Sequence, residues 1–216
     1  MRVRSVIALM VVLLLGSVAF AQDYSKTEVG LNYSYTRFNP QNNGITGGAF
    51  SLNGGGGSLT YFFLKHIGIK GEFEGTTSQT RTFTVPPAFC STAGGGVCTF
   101  PVQANLFTYN ALVVAKGRFE KFEPYIETGL GGAHSNAYIN SGKACTGCIP
   151  QVGAPKPSNN AFDFVIGGGL DIPFTPHFAI LVGEFDYLLT RFGNGLTKGN
   201  NNQSNFRYQA GAIFRF

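Results

Sequence analysis

The chain has 216 residues and a net charge of +5, with 30 glycines, 21 phenylalanines and no tryptophan. This composition favours strands and turns over helices. It contains no run of about five to eight basic residues, which argues against a nucleic-acid-binding protein. We expect a single all-β domain.

The N-terminus has the features of a secretory signal. A charged start, Met1 to Arg4, precedes the apolar run Val6 to Leu15 and a small-residue cleavage motif that ends at Ala21. The apolar run falls short of the roughly 20 residues that a spanning helix needs. We therefore predict a cleaved signal peptide over residues 1–21 and a mature domain over residues 22–216. Cleavage removes two arginines, which lowers the Lys plus Arg count from 16 to 14 against 11 acids, a net charge of +3.

Eight segments then alternate between apolar and polar residues, as strands do when their two faces meet different surroundings. In the seventh segment the alternation assigns Leu181 to the apolar face and Val182 to the polar face. The predicted strands are Thr27–Arg37, Leu52–Phe62, Ile67–Glu74, Ala104–Arg118, Pro124–His134, Phe162–Ile172, Leu181–Thr190 and Tyr208–Phe216.

The connections alternate in length: those after the second, fourth and sixth strands are short, and the others are long. Outer-membrane barrels have short periplasmic turns and long outer loops, and an even strand count places both termini in the periplasm. We therefore predict an eight-stranded antiparallel up-and-down transmembrane β-barrel of the bacterial outer membrane. The first strand must pair with the last, because each unpaired backbone group in hydrocarbon costs several kcal/mol.

A soluble lipocalin-like barrel also has eight antiparallel strands and is the competing fold. Aromatic residues near the strand ends favour the membrane barrel, because aromatic side chains gather at both membrane interfaces. The predicted interfacial aromatics are Tyr35, Phe38, Tyr61, Phe62, Phe122, Phe178, Phe192, Phe206 and Phe216.

Several segments of the chain are similar to one known family. They are Gly54–Tyr61, His66–Phe73, Pro124–Gly131, Gly167–Asp171 and Asp186–Phe192. In these segments the chain resembles the OmpA-like outer-membrane β-barrel proteins, in particular the single-domain, eight-stranded members.

The resemblance implies that the barrel-assembly machinery reads the last strand, through Tyr208, Phe214 and Phe216, and that loss of Phe216 impairs insertion. Nothing follows Phe216, so we expect no peptidoglycan-binding domain.

The polar faces of the strands would enclose many charged side chains, since an eight-stranded barrel is just wide enough for its own side chains. The predicted lumen network consists of Glu28, Lys70, Glu72, Glu74, Glu127, Asp163, Asp171, Glu184, Asp186, Arg207 and Arg215. Mutual pairing of these charges would close the lumen. The excess of acids, which Lys116 or Arg118 could offset in part, leaves a narrow cation-favouring path as the alternative.

The four cysteines fall in two long connections, and the oxidising periplasm favours two disulfides. Proximity in the sequence favours Cys90 with Cys98 and Cys145 with Cys148, although three pairings exist. The spacing Cys145-Thr-Gly-Cys148 is also that of redox and zinc pairs, but no strand–helix context or paired histidine accompanies it. We expect no metal and no cofactor.

His134 and Ser135 raise the hypothesis of a lipid A-modifying enzyme. Adjacent strand residues point to opposite faces, so these two cannot easily form the hydrogen bond that activates a nucleophile. We therefore expect no catalytic residue and a structural or surface-interaction role for the outer loops. The expected partners are outer-membrane lipid, lipopolysaccharide where the organism has it, and the barrel-assembly machinery. We expect a monomer and no nucleic-acid partner.

Overall fold

The structure is a computed structural model that describes residues 24–39, 49–79, 81–85, 98–139, 158–192 and 202–216. The predicted signal peptide lies outside the described residues. The described part of the chain forms strands and turns, and no helix in it is long and apolar enough to cross a membrane. The strands are β1 Thr27–Phe38, β2 Phe50–Phe62, β3 Ile67–Ser78, β4 Arg81–Val85, β5 Cys98–Lys116, β6 Glu123–Ile139, β7 Ser158–Thr175, β8 Phe178–Phe192 and β9 Asn202–Arg215.

The strands form one closed antiparallel sheet. Consecutive strands pair with each other except β3 and β4, and the sheet closes because β1 pairs with β9 and β3 pairs with β5. The short strand β4 pairs only with β5, at residues Cys98–Val102, beyond the stretch of β5 that pairs with β3. It therefore continues the position of β3 beside β5 and does not add a ninth strand to the barrel. The predicted eight-stranded antiparallel barrel is confirmed.

Closure extends to the last residues of the chain. The backbone N–H of Phe216 donates to the carbonyl of Thr27 at 2.9 Å, and the N–H of Thr27 donates to the carbonyl of Phe216 at 3.2 Å. The predicted pairing of the first and last strands is thus present, and it runs over Glu28–Arg37 of β1 and Phe206–Arg215 of β9. No open strand edge remains at this seam, as a hydrocarbon environment requires.

All eight predicted strands are present, but several are longer than predicted. Strand β5 begins at Cys98 instead of Ala104, and β6 continues to Ile139 instead of ending near His134. The added residues lie on the side of the long connections. Backbone pairing continues there, but the apolar and polar alternation fades, and alternation was the signal used for prediction.

The predicted faces of β8 are wrong at one place. Leu170 pairs with Gly183 and Asp171 pairs with Leu181, so Val182 is an extra residue in a β-bulge. The bulge shifts the alternation of faces. Leu181 therefore lies inside the barrel at 7% exposure, whereas Val182 faces outward at 45%. Both residues are apolar, and the sequence pattern gave no sign of the shift.

Two predicted interfacial aromatics also lie inside the barrel. Phe62 is fully buried, and its ring lies 4.5 Å from the Arg118 guanidinium. Phe38 is buried near the other end. Tyr61, Phe122, Phe206 and Phe216 are exposed on the outside as predicted. The Phe192 side chain lies outside the described residues.

Inward-facing glycines make room for the large polar side chains of the lumen. A Cβ atom at Gly56 would lie 2.4 Å from Glu74 Oε1, and one at Gly167 would lie 1.9 Å from Asp186 Oδ1. Both distances are far below normal van der Waals contact. The glycine content of the strands is thus coupled to the charge content of the lumen.

We predict that Gly167→Ala destabilises the barrel by about 1–3 kcal/mol, because the new methyl group would overpack against Asp186 and the carbonyl of Phe185. The matched control is Gly71→Ala on the outward face, where the nearest atom to the new Cβ is 4.0 Å away. The control should change stability by less than about 0.5 kcal/mol. Urea unfolding in detergent, followed by gel mobility of unboiled samples, measures both. Equal effects of the two substitutions would contradict the packing role of Gly167.

The charged lumen as candidate functional site

All eleven charged residues predicted for the lumen face inward, and each is at most 7% exposed. The barrel brings them together from six strands. Lys116, Arg118 and Glu123 join them near the short turns. Sequence reasoning gave Lys116 and Arg118 only as optional partners. It missed Glu123, which lies one residue before the predicted start of its strand and continues the inward alternation of that strand.

One group of charges crosses the middle of the lumen. Lys70 Nζ on β3 lies 3.2 Å from Glu72, 3.1 Å from Glu127 on β6 and 2.8 Å from Glu184 on β8. Arg207 on β9 lies 2.5 Å from Glu72 and 2.8 Å from Asp186. We call this group the middle network: Lys70, Glu72, Glu127, Glu184, Asp186 and Arg207. Its ion pairs link strands on different sides of the barrel.

A second group lies nearer the short turns. Lys116 on β5 contacts Glu28 on β1 at 2.5 Å and Asp171 on β7 at 2.8 Å. Arg215 on β9 pairs with Glu123 on β6. Arg118 lies within 4.0 Å of both Glu28 and Glu123. We call this group the turn-side network: Glu28, Lys116, Arg118, Glu123, Asp171 and Arg215.

The two networks differ in charge balance. The turn-side network has three acids and three bases, whereas the middle network has four acids and two bases. Glu74 and Asp163 add two buried carboxylates beside the middle network. Asn32 donates to Glu74 Oε1 at 2.6 Å, and the Asn110 amide, with its nitrogen towards Asp163, donates at 3.3 Å. The excess negative charge of the lumen is thus concentrated in its middle.

Tyr125 lies between the two networks. Its hydroxyl donates to Glu184, and its ring centre lies 5.8 Å from Lys70 Nζ and 5.4 Å from Lys116 Nζ. A cavity of about 30 Å³ adjoins it and is lined by residues of both networks. A cavity of that size holds about two water molecules. It is too small for a wide aqueous channel.

An apolar cluster fills the lumen near the long connections. It contains the buried residues Phe38, Leu52, Leu106, Ala133 and Ala161, with Phe50 packed against them. The Phe38 and Phe50 ring centres are 5.3 Å apart. The cluster lies beyond the middle network, towards the end of the barrel that carries the long connections. Apolar side chains thus occupy part of the lumen on that side.

Three carboxylates of the middle network lie close enough to resemble a cation site. Oxygen atoms of Glu72, Glu127 and Glu184 are within 4.8 Å of one another. Lys70 Nζ contacts all three of these residues. An ammonium group of the protein itself therefore supplies the positive charge at this point.

His134 and Ser135 are separated by the strand geometry. His134 pairs with outward-facing Phe107, and Ser135 pairs with inward-facing Leu106. The Nδ1 atom of His134 lies 2.6 Å from Asn160 Oδ1. These two residues thus lie on opposite faces of the wall, as the alternation of the strand requires.

The remaining predicted site residues divide into two groups. Tyr208, Phe214 and Phe216 lie on the outward face at the end of the chain, and their reading by an assembly machinery stays a prediction. Cys90, Cys145 and Cys148 lie outside the described residues. Cys98 is the first residue of β5, but its side chain is not described, so the disulfides also stay predictions.

A closed antiparallel barrel with an apolar outer wall and a charged lumen is the architecture of a transmembrane β-barrel. The family model for the outer membrane protein beta-barrel domain matches residues 7–216. The chain belongs to this family and is an outer-membrane β-barrel protein. A comparison with curated proteins finds no match.

Two solved structures of small outer-membrane proteins have a similar fold. One is Ail, the attachment invasion locus protein of Yersinia pestis, in complex with the heparin analogue sucrose octasulfate. It is 16% identical in sequence, the match covers 89% of this chain and 99% of the Ail chain, and the TM-score is 0.53. The other is Neisserial surface protein A, which is 10% identical in sequence. That match covers 88% of this chain and 97% of the Neisserial chain, and the TM-score is 0.58. At these identities the likeness establishes the fold alone.

We predict that Arg207→Ala lowers the free energy of unfolding by about 3–5 kcal/mol, because it leaves Glu72 and Asp186 buried without their cation. The matched control is Arg191→Ala, which removes an exposed arginine from the wall. The control should change stability by less than about 0.5 kcal/mol. Urea titration of refolded barrels in detergent provides the comparison. A stability loss no larger for Arg207 than for Arg191 would show that the middle network does not stabilise the barrel.

Proposed function

We propose that the protein is a closed, non-conducting barrel whose long connections mediate contacts at the cell surface. The ion pairs that cross the lumen carry this proposal. Lys70 joins β3 to β6 and β8, and Arg207 joins β9 to β3. Such bonds occupy the space through which ions would have to pass. In this proposal the short turns and both termini face the periplasm, as in other barrels of even strand number.

A narrow cation-favouring path is the second candidate. The specific observation in its favour is the excess of carboxylates in the middle of the lumen. Glu74 and Asp163 are held by amides instead of cations. Rings of carboxylates are how cation-selective pores attract their ions. The apolar cluster around Phe38 and Leu52 argues for the closed state.

The surface role that we propose is recognition of anionic partners. The segments between the strands on the side of the long connections contain Lys143, Lys156 and Lys198, and the short strand β4 on that side begins with Arg81; none of them contains an aspartate or glutamate. Nine of the 11 acids of the chain lie in the two networks or beside them. Of the other two, Glu120 lies in the short turn between β5 and β6, and Asp23 lies outside the described residues. A basic surface without competing carboxylates attracts polyanions. The binding of a heparin analogue by structurally similar Ail is consistent with this proposal.

The proposed role is non-enzymatic. His134 and Ser135 are on opposite faces of the wall. His134 therefore cannot act as the base for Ser135, and this was the nucleophile–base pair that the sequence suggested.

We predict that the refolded wild-type protein produces no steady single-channel steps in a planar bilayer. Removal of the cross-lumen cation in Arg207→Ala should produce cation-selective steps, because hydrated carboxylates would then line the space. A heat-modifiability gel on each sample verifies that the barrel is folded. Arg191→Ala is the control and should stay silent.

The wild-type recording separates the two candidate functions. Steady cation-selective steps from folded wild-type barrels would refute the closed lumen and establish the narrow path. Silence of both wild type and Arg207→Ala would indicate that the apolar cluster closes the lumen without help from the middle network.

We predict that the barrel binds immobilised heparin, used as a model polyanion, and that the triple variant K143Q/K156Q/K198Q binds it at least several-fold more weakly. Electrostatic binding should also weaken as salt is raised. The matched control is K65Q/K121Q, which removes two exposed lysines at the short turns. Equal weakening by the control, or no binding by folded wild type, would reject the polyanion proposal.

A further inference from the structure

Charged side chains are nearly absent from the outer wall of the barrel. Among the strand side chains that the structure describes, Arg37 on β1 and Arg191 on β8 are the charged ones that face outward. Both lie at the ends of their strands next to the long connections. They also lie on the same side of the barrel, because β9 pairs with β1 on one edge and with β8 on the other.

Two polar side-chain pairs on the outer wall lie close to these arginines along the strands. The Tyr35 hydroxyl lies 2.8 Å from Ser51 Oγ across β1 and β2, and the Tyr187 hydroxyl lies 2.7 Å from Ser204 Oγ across β8 and β9. Tyrosines with hydrogen-bonded hydroxyls are typical of the membrane interface. Arg37 and Arg191 therefore lie at or beyond the boundary where hydrocarbon gives way to headgroups.

The two outward arginines also differ from the lumen bases in their partners. Each of the five lumen bases has a carboxylate within 4.0 Å. Arg37 donates to Ser51 Oγ at 3.3 Å, and neither Arg37 nor Arg191 has a carboxylate partner among the described residues. The connecting segments on this side contain no acid that could serve. Two cations at a membrane interface thus have no counter-ion from the parts of the chain beside them.

The spacing of the arginines fits more than one anionic group. Along β9, Arg37 pairs opposite Phe206 and Arg191 pairs opposite Asn202. Two strand spacings of about 4.8 Å and an offset of four residues at about 3.4 Å each separate their backbones by roughly 16 Å. Long arginine side chains can extend towards the headgroup layer from these positions. They can therefore reach phosphates on neighbouring lipids or on one lipid with several phosphates.

We propose that Arg37 and Arg191 form a lateral binding site for the phosphate groups of anionic lipid headgroups in the leaflet at the side of the long connections. The guanidinium group binds phosphate through paired N–H donors. The site goes beyond the proposed surface role, because it faces the membrane and not the exterior. It would give the barrel an anionic lipid shell on one side, at β1, β9 and β8.

The chain has no tryptophan, which allows a site-specific test with a single reporter. Phe206 is exposed on β9, the strand between those of the two arginines, and lies directly opposite Arg37. Phe206→Trp places the reporter there. The barrel is reconstituted in mixtures of phosphatidylcholine and phosphatidylglycerol, with bromine quenchers on one lipid or the other. We expect phosphatidylglycerol to be preferred at this reporter by roughly five-fold for each arginine.

Two controls make the result specific. In R37Q/R191Q with the same reporter, the preference should fall to about one, whereas R37K/R191K should retain most of it. Phe107→Trp places the reporter on the outward face of β5, on the opposite side of the barrel, and should show little preference. A preference at residue 206 that equals that at residue 107, or that survives R37Q/R191Q, would overturn the proposal.

A further arm distinguishes lipid from free phosphate. Inorganic phosphate and chloride are added at matched ionic strength, so that both screen charges equally. If the site binds lipid headgroups, the two salts should reduce the preference equally. A larger reduction by phosphate would assign the site to the free anion and overturn the lipid proposal. Gel mobility of unboiled samples verifies that every variant is folded.

Discussion

The need to satisfy backbone hydrogen bonds in hydrocarbon explains why this chain forms a closed sheet. A strand edge exposed to lipid has no water to satisfy its N–H and C=O groups, so the sheet must close. The pairing of β1 with β9 runs to the final residue, where Phe216 exchanges hydrogen bonds with Thr27. The even number of strands in the barrel places the start of β1 and the end of β9 at the same end of the barrel.

Closure with eight strands also determines what the lumen can contain. The interior is as wide as the side chains that fill it, and burying charge there requires partners for each ion. Lys70 and Arg207 provide those partners across the lumen. Glycines such as Gly167 provide the space. The buried charges, the width of the lumen and the glycines of the strands therefore depend on one another.

The two ends of the barrel are chemically different. Every acid that the structure describes lies in the lumen or in a short turn, whereas the long connections contain lysines and no acid. The outer wall follows the same asymmetry, because Arg37 and Arg191 lie at its loop-bearing end. The barrel thus combines a lumen crossed by ion pairs with an outer wall whose described charges lie at one end.

The number of barrel strands, the faces of most strands and the identity of the buried charges could be predicted from the sequence. Each follows from a local two-residue alternation between lipid and lumen. Which charges meet could not be predicted, because Lys70 contacts Glu184 across the lumen and no local pattern encodes that contact. The bulge at Val182 and the burial of Phe38 and Phe62 were also decided by the tertiary structure. An apolar residue suits lipid and a packed lumen equally well, and strand pairing alone selects between them.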